Sequence, residues 1–573
     1  MSLRSRSRGA VAAALAAVLT GGALAGCAAM PVAGDVQRGG EEVVRGFDPG
    51  QIAFGPTVDA EPDAIVRGFL LAAQAGPSSP TAFSVAREFL TDRAAESWMP
   101  YSRVVVIDGV PQPALSPDSD PTSDRVVVQA NGNVVASVDE RGVFTDEPAG
   151  STQETTFDLV RQDGQWRIAR LDDGLMVPSP VFTTTFRVTT LYFPTPDHAA
   201  WVPDVRWFPQ QTWRTNAVEE LVAGPPAHLA GAASPVLPVG TGLAMSAVTQ
   251  GTDGSFQVSL TDQISEASGP ARGLFAAQLR ATLADARGEA DITLSDSTGP
   301  IVPPDVDVPE RPRTPGMAVA LRDGTLWNVT GRTLTQSELA VHLEGLDPTA
   351  LAVNRSGDVV VVRDGETRLV RVTGEEPTEL IEGLRLVAPS IDPNGAVWTG
   401  DTGGPLVVVT PAGDAVSLDV PWLEDRTVAS VRVSPEGARV AVVSSGADGT
   451  SVHVAGILRD ARGVPTALTV PVTVGASVQG VEQAVWQEES VLALLGQEIG
   501  GTVVFLAGVG GLAQSVGGLP RRIGGITDPV WLSAAVGSGD ILAVDAEGVL
   551  HLRQSTAMWP VVGSGIELAA FAG

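Results

Sequence analysis

Hydrophobic residues near the start of the chain recur at helical spacing and then change to a period of two. Apolar positions repeat every three or four residues from Pro62 to Ala73 and end at Gly76-Pro77, which predicts a helix. A second helix is predicted after Thr81, with a short turn through Trp98. Valine-rich segments of period two follow from residue 104 and predict strands. Three dipeptides between them are turn signals: Asn131-Gly132, Arg141-Gly142 and Asp163-Gly164. This order predicts an α+β domain over residues 43–178, with its helices packed on one sheet face.

The middle of the chain alternates between strand and helix patterns. The predicted elements are strands at 186–193 and 205–208, a helix near 217–223, strands at 242–249 and 255–260, a helix at 270–287 and a strand at 291–294. Their order predicts a compact α/β sandwich over residues 182–298, with helices on one face. Six prolines between Pro300 and Pro315 then predict a stiff connector over residues 299–315.

No helical period follows this connector. Instead, short apolar strand patterns recur before tight turns, as in Ala318-Val319-Ala320 before Asp323-Gly324. The repeats start roughly 34 to 52 residues apart, which is within the range of propeller blades. Residues 316–573 therefore predict a six-bladed β-propeller, with five or seven blades as alternatives. Each blade buries its apolar face against its neighbours, so a partial array is not expected to fold.

The only cysteine of the chain, Cys27, ends an uncharged run of small and apolar residues that begins at Gly9. Three arginines precede this run, at positions 4, 6 and 8. A basic start followed by such a run predicts a secretory signal over residues 1–26. The run is too short and too polar to span a bilayer, which takes about 20 apolar residues. Residues 27–42 carry glycine and proline without an apolar period and predict a flexible tether.

The four residues Leu24-Ala25-Gly26-Cys27 resemble the lipobox of bacterial lipoproteins. The resemblance implies that cleavage leaves Cys27 as the first residue, with an S-diacylglyceryl group and an N-palmitoyl chain. Two or more long chains hold a protein stably at a membrane. We therefore expect a lipid-anchored protein on the extracytoplasmic face of the plasma membrane. The alternative is an ordinary signal peptide with a chance cysteine.

The charge of the chain narrows the range of partners. The formal net charge is −29 at pH 7, and every basic residue other than histidine is an arginine. Such a surface makes nucleic acid an unsuitable partner, and it is repelled by anionic lipid. The lipid on Cys27, and not a basic patch, is therefore the predicted membrane link.

The sequence carries none of the common catalytic motifs, such as a GxSxG elbow or a Walker loop. Residues 508–513 fit the dinucleotide pattern GxGxxA, but Gly517-Gly518-Leu519-Pro520 leaves no room for the helix that this site needs. We interpret the stretch as a glycine-rich propeller loop.

Asp118, Asp120 and Asp124 are interpreted as a solvated loop in preference to a calcium site. Four propeller tryptophans are interpreted as core filling in preference to a sugar-binding mouth: Trp327, Trp398, Trp486 and Trp531. Five histidines lie singly and predict no metal site: His198, His228, His342, His453 and His551. No cofactor is predicted.

Several motifs of the middle unit are similar to the GerM-type (GerMN) domain of spore and sporulation proteins. They are Leu191-Tyr192-Phe193, Val202-Pro203-Asp204-Val205-Arg206, Leu221-Val222-Ala223-Gly224-Pro225 and Leu237-Pro238-Val239-Gly240-Thr241. The aromatic-rich stretch from Trp207 to Trp213 departs from that pattern. In the first predicted domain, residues 43–178, the order of helices and strands is similar to that of the cone-shaped NTF2-like folds. Together with the lipobox and the C-terminal repeats, these features resemble the actinobacterial LpqB lipoprotein family across nearly the whole mature chain.

The resemblance to the LpqB family implies a partner and no enzymatic reaction. Such proteins are accessory factors of the MtrA/MtrB two-component system. They engage the extracellular region of an MtrB-like sensor kinase and influence envelope homeostasis and division. The alternative hypothesis is a protein that binds or hydrolyses peptidoglycan or another envelope glycan in the propeller channel. Hydrolysis would need two carboxyl groups about 5 to 9.5 Å apart, so an apolar or arginine-filled channel would argue against it.

Overall fold

The computed structural model describes residues 53–573 except positions 79–82, 246, 252–253, 285–289, 375 and 512–519. All of the described residues belong to one compact unit. β-Strands predominate, and the few helices lie in the first half of the described chain.

The first part of the described chain packs short helices against one sheet. The helices are α1 (Pro62–Ala75), α2 (Ser84–Arg87) and α3 (Asp92–Ser97), and the strands are β1 (Arg103–Leu115), β2 (Arg125–Asp139), β3 (Phe144–Asp146), β4 (Thr152–Gln162), β5 (Gln165–Arg170) and β6 (Leu175–Pro178). The strand order is β5-β4-β2-β1-β6, with β3 beside β2. The helix predicted from Pro62 is confirmed, and its apolar stripe is buried in a core that includes Trp98 and Phe157.

One predicted turn in this sheet is wrong. Strand β2 runs through Asn131-Gly132 without a break, because its pairing with β4 is continuous there, although the register of its pairing with β1 shifts at this point. A Cβ on Gly132 would lie 2.9 Å from the Ile107 side chain, so glycine serves a close approach between strands at this position. Asp163-Gly164, by contrast, forms the predicted hairpin, with φ angles of 53° and 78° that suit a type I′ turn.

The middle part of the chain contains two small sheets. Its elements are α4 (Ser179–Thr185), β7 (Phe186–Pro194), β8 (Trp201–Pro209), α5 (Trp213–Ala223), β9 (Thr249–Gln250), β10 (Phe256–Ser259), α6 (Gly269–Leu283), β11 (Ile292–Asp296) and β12 (Gly299–Ile301). Strands β7 and β8 pair only with each other, and the other sheet has the order β12-β11-β10-β9.

The strand predicted over 242–249 is wrong for most of its length. Among the residues of this segment that the structure describes, only Thr249 lies in a strand, Leu243 makes a single bridge to Leu260, and Met245 is exposed. An alternating apolar pattern was therefore not sufficient to make this segment a strand of a sheet. Helix α6 ends at Leu283, and residues 285–287 of the predicted helix lie outside the described residues.

The C-terminal part folds into six consecutive sheets. Grouped by sheet, their strands are β13 (Ala318–Arg322), β14 (Thr325–Thr330) and β15 (Thr333–Gln336); β16 (Pro348–Val353), β17 (Val360–Asp364), β18 (Arg368–Arg371) and β19 (Thr378–Glu382); β20 (Ser390–Ile391), β21 (Val397–Gly400), β22 (Leu406–Val409) and β23 (Ala415–Ser417); β24 (Thr427–Val433), β25 (Arg439–Gly446), β26 (Gly449–Arg459), β27 (Pro465–Leu468) and β28 (Val472–Thr473); β29 (Gln479–Glu488), β30 (Val491–Glu498), β31 (Gly501–Gly508) and β32 (Arg521–Ile523); and β33 (Pro529–Ala535), β34 (Asp540–Asp545), β35 (Val549–Leu552) and β36 (Val561–Ser564). The last strand of the chain is β37 (Leu568–Phe571). Short 3-10 turns occur at Gly76–Ser78, Ala227–Leu229, Asp262–Glu266, Pro421–Leu423 and Val509–Gly511.

The two ends of this C-terminal part meet in one sheet. The final strand β37 pairs with β13 and completes the first sheet, whose order is β15-β14-β13-β37. Strands β37, β16, β20, β24, β29 and β33 contact one another in that cyclic order. Closure of this kind gives a propeller-type domain with its innermost strands around a central channel.

Candidate functional site

The middle part of the chain and the propeller-type domain are joined through a buried arginine. Arg439 begins β25 and is 1% exposed. Its Nε donates to Glu436 Oε1 at 2.6 Å, and its Nη2 donates to the carbonyl of Glu489 at 2.6 Å. Its Nη1 donates at 3.4 Å to the carbonyl of Pro203, which lies on β8 of the middle part. The guanidinium also lies 4.8 Å from the ring of Trp486. Buried charges persist when they are paired and hydrogen-bonded, as they are here.

A second buried arginine joins the first part of the chain to the middle part. Arg206 Nε donates to Asp204 Oδ2 at 2.8 Å, its Nη2 forms an ion pair with the same oxygen at 2.7 Å, and its Nη1 donates to Glu220 at 3.1 Å. Glu220 also accepts from Arg141, which lies beyond the end of β2, at 2.8 Å. Burial alone would lower the pKa of Arg206, but Asp204 and Glu220 outweigh that effect and raise it. We call Arg439, Arg206 and their partners the interdomain seam.

His228 lies inside this seam as a neutral side chain. Its Nε2 is 3.7 Å from Asp204 Oδ1, and its backbone carbonyl accepts from the Thr469 hydroxyl of the propeller-type domain at 2.7 Å. Burial lowers the pKa of His228 from its ordinary 6.5 to about 4, against the attraction of Asp204. His453, in the propeller-type domain, has a pKa lowered to about 4 for the same principal reason.

Acidification should therefore destabilise the fold. Between pH 6.5 and 4 the unfolded chain binds a proton at His228 that the folded chain does not, so stability is lost as the pH falls through this window. The loss approaches about 3 kcal/mol for each such histidine. Urea unfolding at pH 7 and pH 4.5 measures it, and His228→Gln should remove part of the pH dependence. His453→Gln should remove the other part, and an unchanged dependence in both variants would contradict the assignment.

The described part of the stretch that fits GxGxxA, residues 508–511, forms a turn that contacts the middle part of the chain. Strand β31 ends at Gly508 and a 3-10 turn follows, in which Gly510 and Gly511 have φ angles of 65° and 72°. The Gly510 carbonyl accepts from Trp207 Nε1 at 2.8 Å. Trp207 in turn packs against Phe144, with ring centroids 6.0 Å apart. The aromatic-rich stretch after residue 206 is thus a domain contact, and residues 512–519 lie outside the described residues.

Replacing Gly510 by alanine should destabilise the chain by about 2–4 kcal/mol. An added Cβ would lie 2.7 Å from the backbone oxygen of Val205, and the positive φ adds strain of its own. Gly331→Ala is the matched control, because Gly331 has a φ of 55° and nothing within 4 Å of an added Cβ. It should cost only about 1 kcal/mol. Equal midpoints of thermal unfolding for the two variants would show that the close approach to Val205 is unimportant.

A cleft of about 550 Å³ opens between the middle part and the propeller-type domain. Its walls are the 195–200 turn of the middle part and the propeller turns near residues 393, 436 and 460. Six charged residues line it: Asp197, Glu310, Arg355, Glu436, Arg459 and Asp460. A volume of 300 to 1,000 Å³ is typical of ligand pockets.

The charged side chains of this cleft differ in whether they are already paired within the protein. Arg459 pairs with Asp392 at 3.0 Å, and Glu436 is held by Arg439. Hydrogen bonds from Thr195 and Ala199 lower the pKa of Asp197 although burial opposes them. Arg355 is exposed and forms no hydrogen bond or ion pair within the described part of the chain. Arg355 is therefore the cation of this cleft that remains available to a partner.

The propeller channel is narrow and contains an arginine. Its cavity measures about 60 Å³, and Arg432, Trp486 and Trp531 are among its lining residues. No Asp or Glu side chain is among the described residues that line it. Two of the four recurrent tryptophans thus face the channel, whereas Trp398 is fully buried and donates to Asp392 at 3.3 Å. The paired carboxyl groups that glycan hydrolysis in this channel would need are not present in this lining.

The other residues singled out by sequence do not converge on a site. Leu24, Ala25, Gly26 and Cys27 of the predicted lipobox lie outside the described residues. Asp120 accepts from the backbone and hydroxyl of Thr122, as in an ordinary turn. No group of three His, Cys, Asp or Glu side chains suited to a metal ion occurs in the described ranges. None of the helices described there is long and apolar enough to cross a membrane.

The fold and these sites define a class of protein. It is a multidomain chain whose propeller-type C-terminal domain is fastened to two preceding α/β-containing parts by buried polar contacts. Residues 55–183 match the family "Lipoprotein LpqB, N-terminal domain", residues 324–568 match "Lipoprotein LpqB beta-propeller domain", and residues 190–295 match "Sporulation and spore germination". The chain therefore belongs to the LpqB lipoprotein family.

Proteins named Lipoprotein LpqB in other bacteria align with most of this chain. Lipoprotein LpqB of Bifidobacterium longum is 27% identical over 420 residues, which cover 71% of each chain. Lipoprotein LpqB of Cutibacterium acnes is 24% identical over 610 aligned positions, which cover both chains completely. Among solved structures, a Mycobacterium tuberculosis puromycin-hydrolyzing peptidase is similar over 40% of each chain, with 21% identity and a TM-score of 0.27. That similarity is too low to support an inference.

Proposed function

We propose that this chain is a lipid-anchored envelope protein that binds the extracytoplasmic region of an MtrB-like sensor kinase. The proposal rests on membership of a family named for lipoproteins, on the lipobox pattern at Cys27, and on the cleft between the middle part and the propeller-type domain. Lipid on Cys27 would hold the body at the outer face of the plasma membrane, where the sensor region of such a kinase lies.

The cleft is the observation that carries the binding proposal. It joins surfaces of two domains, and the interdomain seam beside it holds those domains together through Arg439. A rigid site lowers the ordering cost that a partner must overcome on binding. Arg355 supplies an accessible positive charge in an otherwise acidic chain, so an acidic segment of the kinase is the expected ligand.

Two finer features of the fold belong to the same proposal. We infer that the six C-terminal sheets are the blades of one closed ring, because their innermost strands contact in cyclic order and β37 closes the first sheet. We also infer that the first domain is an NTF2-like cone whose helices pack on one sheet. In this arrangement the propeller serves as a platform that holds the cleft open.

The experiment is crosslinking in intact cells followed by purification of the anchored protein. The native protein and the Arg332→Glu variant should both capture the kinase, because Arg332 is exposed and lies outside the cleft lining. Arg355→Glu should reduce capture about tenfold or more, since it reverses the charge offered to the partner. Equal capture by both variants would overturn the role of the cleft. Absence of the kinase from the native complex, together with unchanged phosphorylation of its response regulator on deletion, would overturn the proposed function.

A glycan hydrolase in the channel is not proposed. Trp486 and Trp531 face the channel, but its cavity of about 60 Å³ is far below the size of ordinary ligand pockets, and its described lining carries no acidic side chain.

A further inference from the structure

The propeller channel contains a positive charge without a matching negative one. Arg432 lies on β24, within the sequence Val431-Arg432-Val433, and lines the cavity. Its Nη1 donates to the carbonyls of Val431 at 2.8 Å and Pro389 at 3.3 Å. No ion pair joins it to any residue that the structure describes, and its Nε and Nη2 have no hydrogen-bond partner among those residues. The guanidinium carbon lies 5.8 Å from the ring centroid of Trp531.

The surroundings of Arg432 are unfavourable for a cation. Burial, followed by repulsion from Arg363, lowers the pKa of Arg432 to about 10, so the side chain remains charged at neutral pH. Arg363 is held in place, because its Nε donates to the Thr349 hydroxyl and its Nη1 to the carbonyl of Leu386, each at 2.9 Å. A desolvated charge is costly unless an opposite charge compensates it. The channel therefore has a positive potential that an anion would relieve.

The dimensions of the cavity restrict that anion. A water molecule needs about 10–15 Å³ of such volume, so a cavity of about 60 Å³ has room for roughly four to six waters. One end of the channel is crossed by the connector. There the Thr314 backbone donates to Val536 O at 3.0 Å, and the Val536 backbone donates to the Thr314 hydroxyl at 3.0 Å. A sugar or a peptide is thus too large, whereas one small oxyanion fits.

We propose that the propeller channel binds a single oxyanion group, phosphate or carboxylate, on the free Nε and Nη2 edge of Arg432. This edge of a guanidinium presents two parallel N–H donors that match two oxygens of such a group. Trp531 forms the apolar side of the site. The site is independent of kinase binding at the cleft, so either proposal can fail without the other.

The test uses the purified full chain and inorganic phosphate or sodium acetate as separate probes. Each is titrated at constant ionic strength against sodium chloride, with calorimetry and the melting temperature as readouts. We expect saturable binding of one probe, with a rise in melting temperature that chloride does not produce. Arg432→Met should weaken this binding about tenfold or more, and Arg332→Met should leave it unchanged. The stronger probe identifies the class of oxyanion.

Absence of saturable binding for both probes would overturn the proposal, as would equal binding by the native chain and the Arg432→Met variant. If Arg432→Met does not fold, Trp531→Phe provides the second measurement. Binding of the oxyanion beside Trp531 should change the tryptophan emission of the native chain, and this change should be reduced in Trp531→Phe while the calorimetric binding persists. Trp486 lines the same channel, so an emission change that survives when both tryptophans are replaced by phenylalanine would place the anion elsewhere and would overturn the assignment to the channel.

Discussion

Replacing Arg439 by methionine should destabilise the chain by about 3–5 kcal/mol. The substitution keeps an apolar stem of similar length but leaves the buried Glu436 carboxylate without its cation. It also removes the donors to the carbonyls of Glu489 and Pro203. Loss of one member of a buried ion pair is costly for this reason. Urea unfolding followed by circular dichroism measures the loss, and tryptophan emission reports on Trp486, which lies 4.8 Å from the guanidinium.

The matched control for this prediction is Arg462→Met. Arg462 also pairs with a nearby carboxylate, that of Asp460, at 3.1 Å, but its side chain is 83% exposed. Solvent screens such a pair, so its removal should cost less than about 1 kcal/mol. Adding Glu436→Gln to Arg439→Met should recover part of the stability, because the unpaired charge is then gone. Equal unfolding midpoints for Arg439→Met and Arg462→Met would contradict the importance of the interdomain seam.

The elements that sequence predicted correctly are those determined by local interactions. Helix α1 follows from the apolar spacing after Pro62, and the Asp163-Gly164 hairpin follows from two residues that adopt positive φ readily. Asn131-Gly132 carries the same turn signal, but the pairing of β2 with β4 continues through it. Long-range pairing therefore overrode a local preference that a single sequence cannot weigh.

The candidate sites depend on contacts between residues that are far apart in sequence. Arg439 and Pro203 are separated by 236 positions, and Thr469 and His228 by 241. No spacing rule connects them. The contact of Gly510 with Val205 likewise could not be foreseen from the glycine pattern of residues 508–513.

One residue of the channel did leave a signal in the sequence. Arg432 is the single charged position in an otherwise apolar stretch of β24, Val431-Arg432-Val433. A charge on an inner strand breaks the apolar pattern of the repeat, and such exceptions mark functional or strained positions. The sequence does not show, however, that the described channel lining contains no carboxylate to pair with Arg432. This lack of a carboxylate makes the channel a candidate anion site.

Replacing Cys27 by alanine should abolish membrane retention. Each buried methylene contributes about 0.8 kcal/mol, so the loss of two or more acyl chains removes most of the affinity for the bilayer. The acidic body offers no electrostatic substitute, since the net charge of the chain is −29. Fractionation of cells and labelling with palmitate should show a soluble or uncleaved, unlabelled precursor. Ala28→Ser keeps the thiol and should remain labelled and anchored. A Cys27→Ala protein that still takes up palmitate and sediments with membranes would refute the lipid assignment.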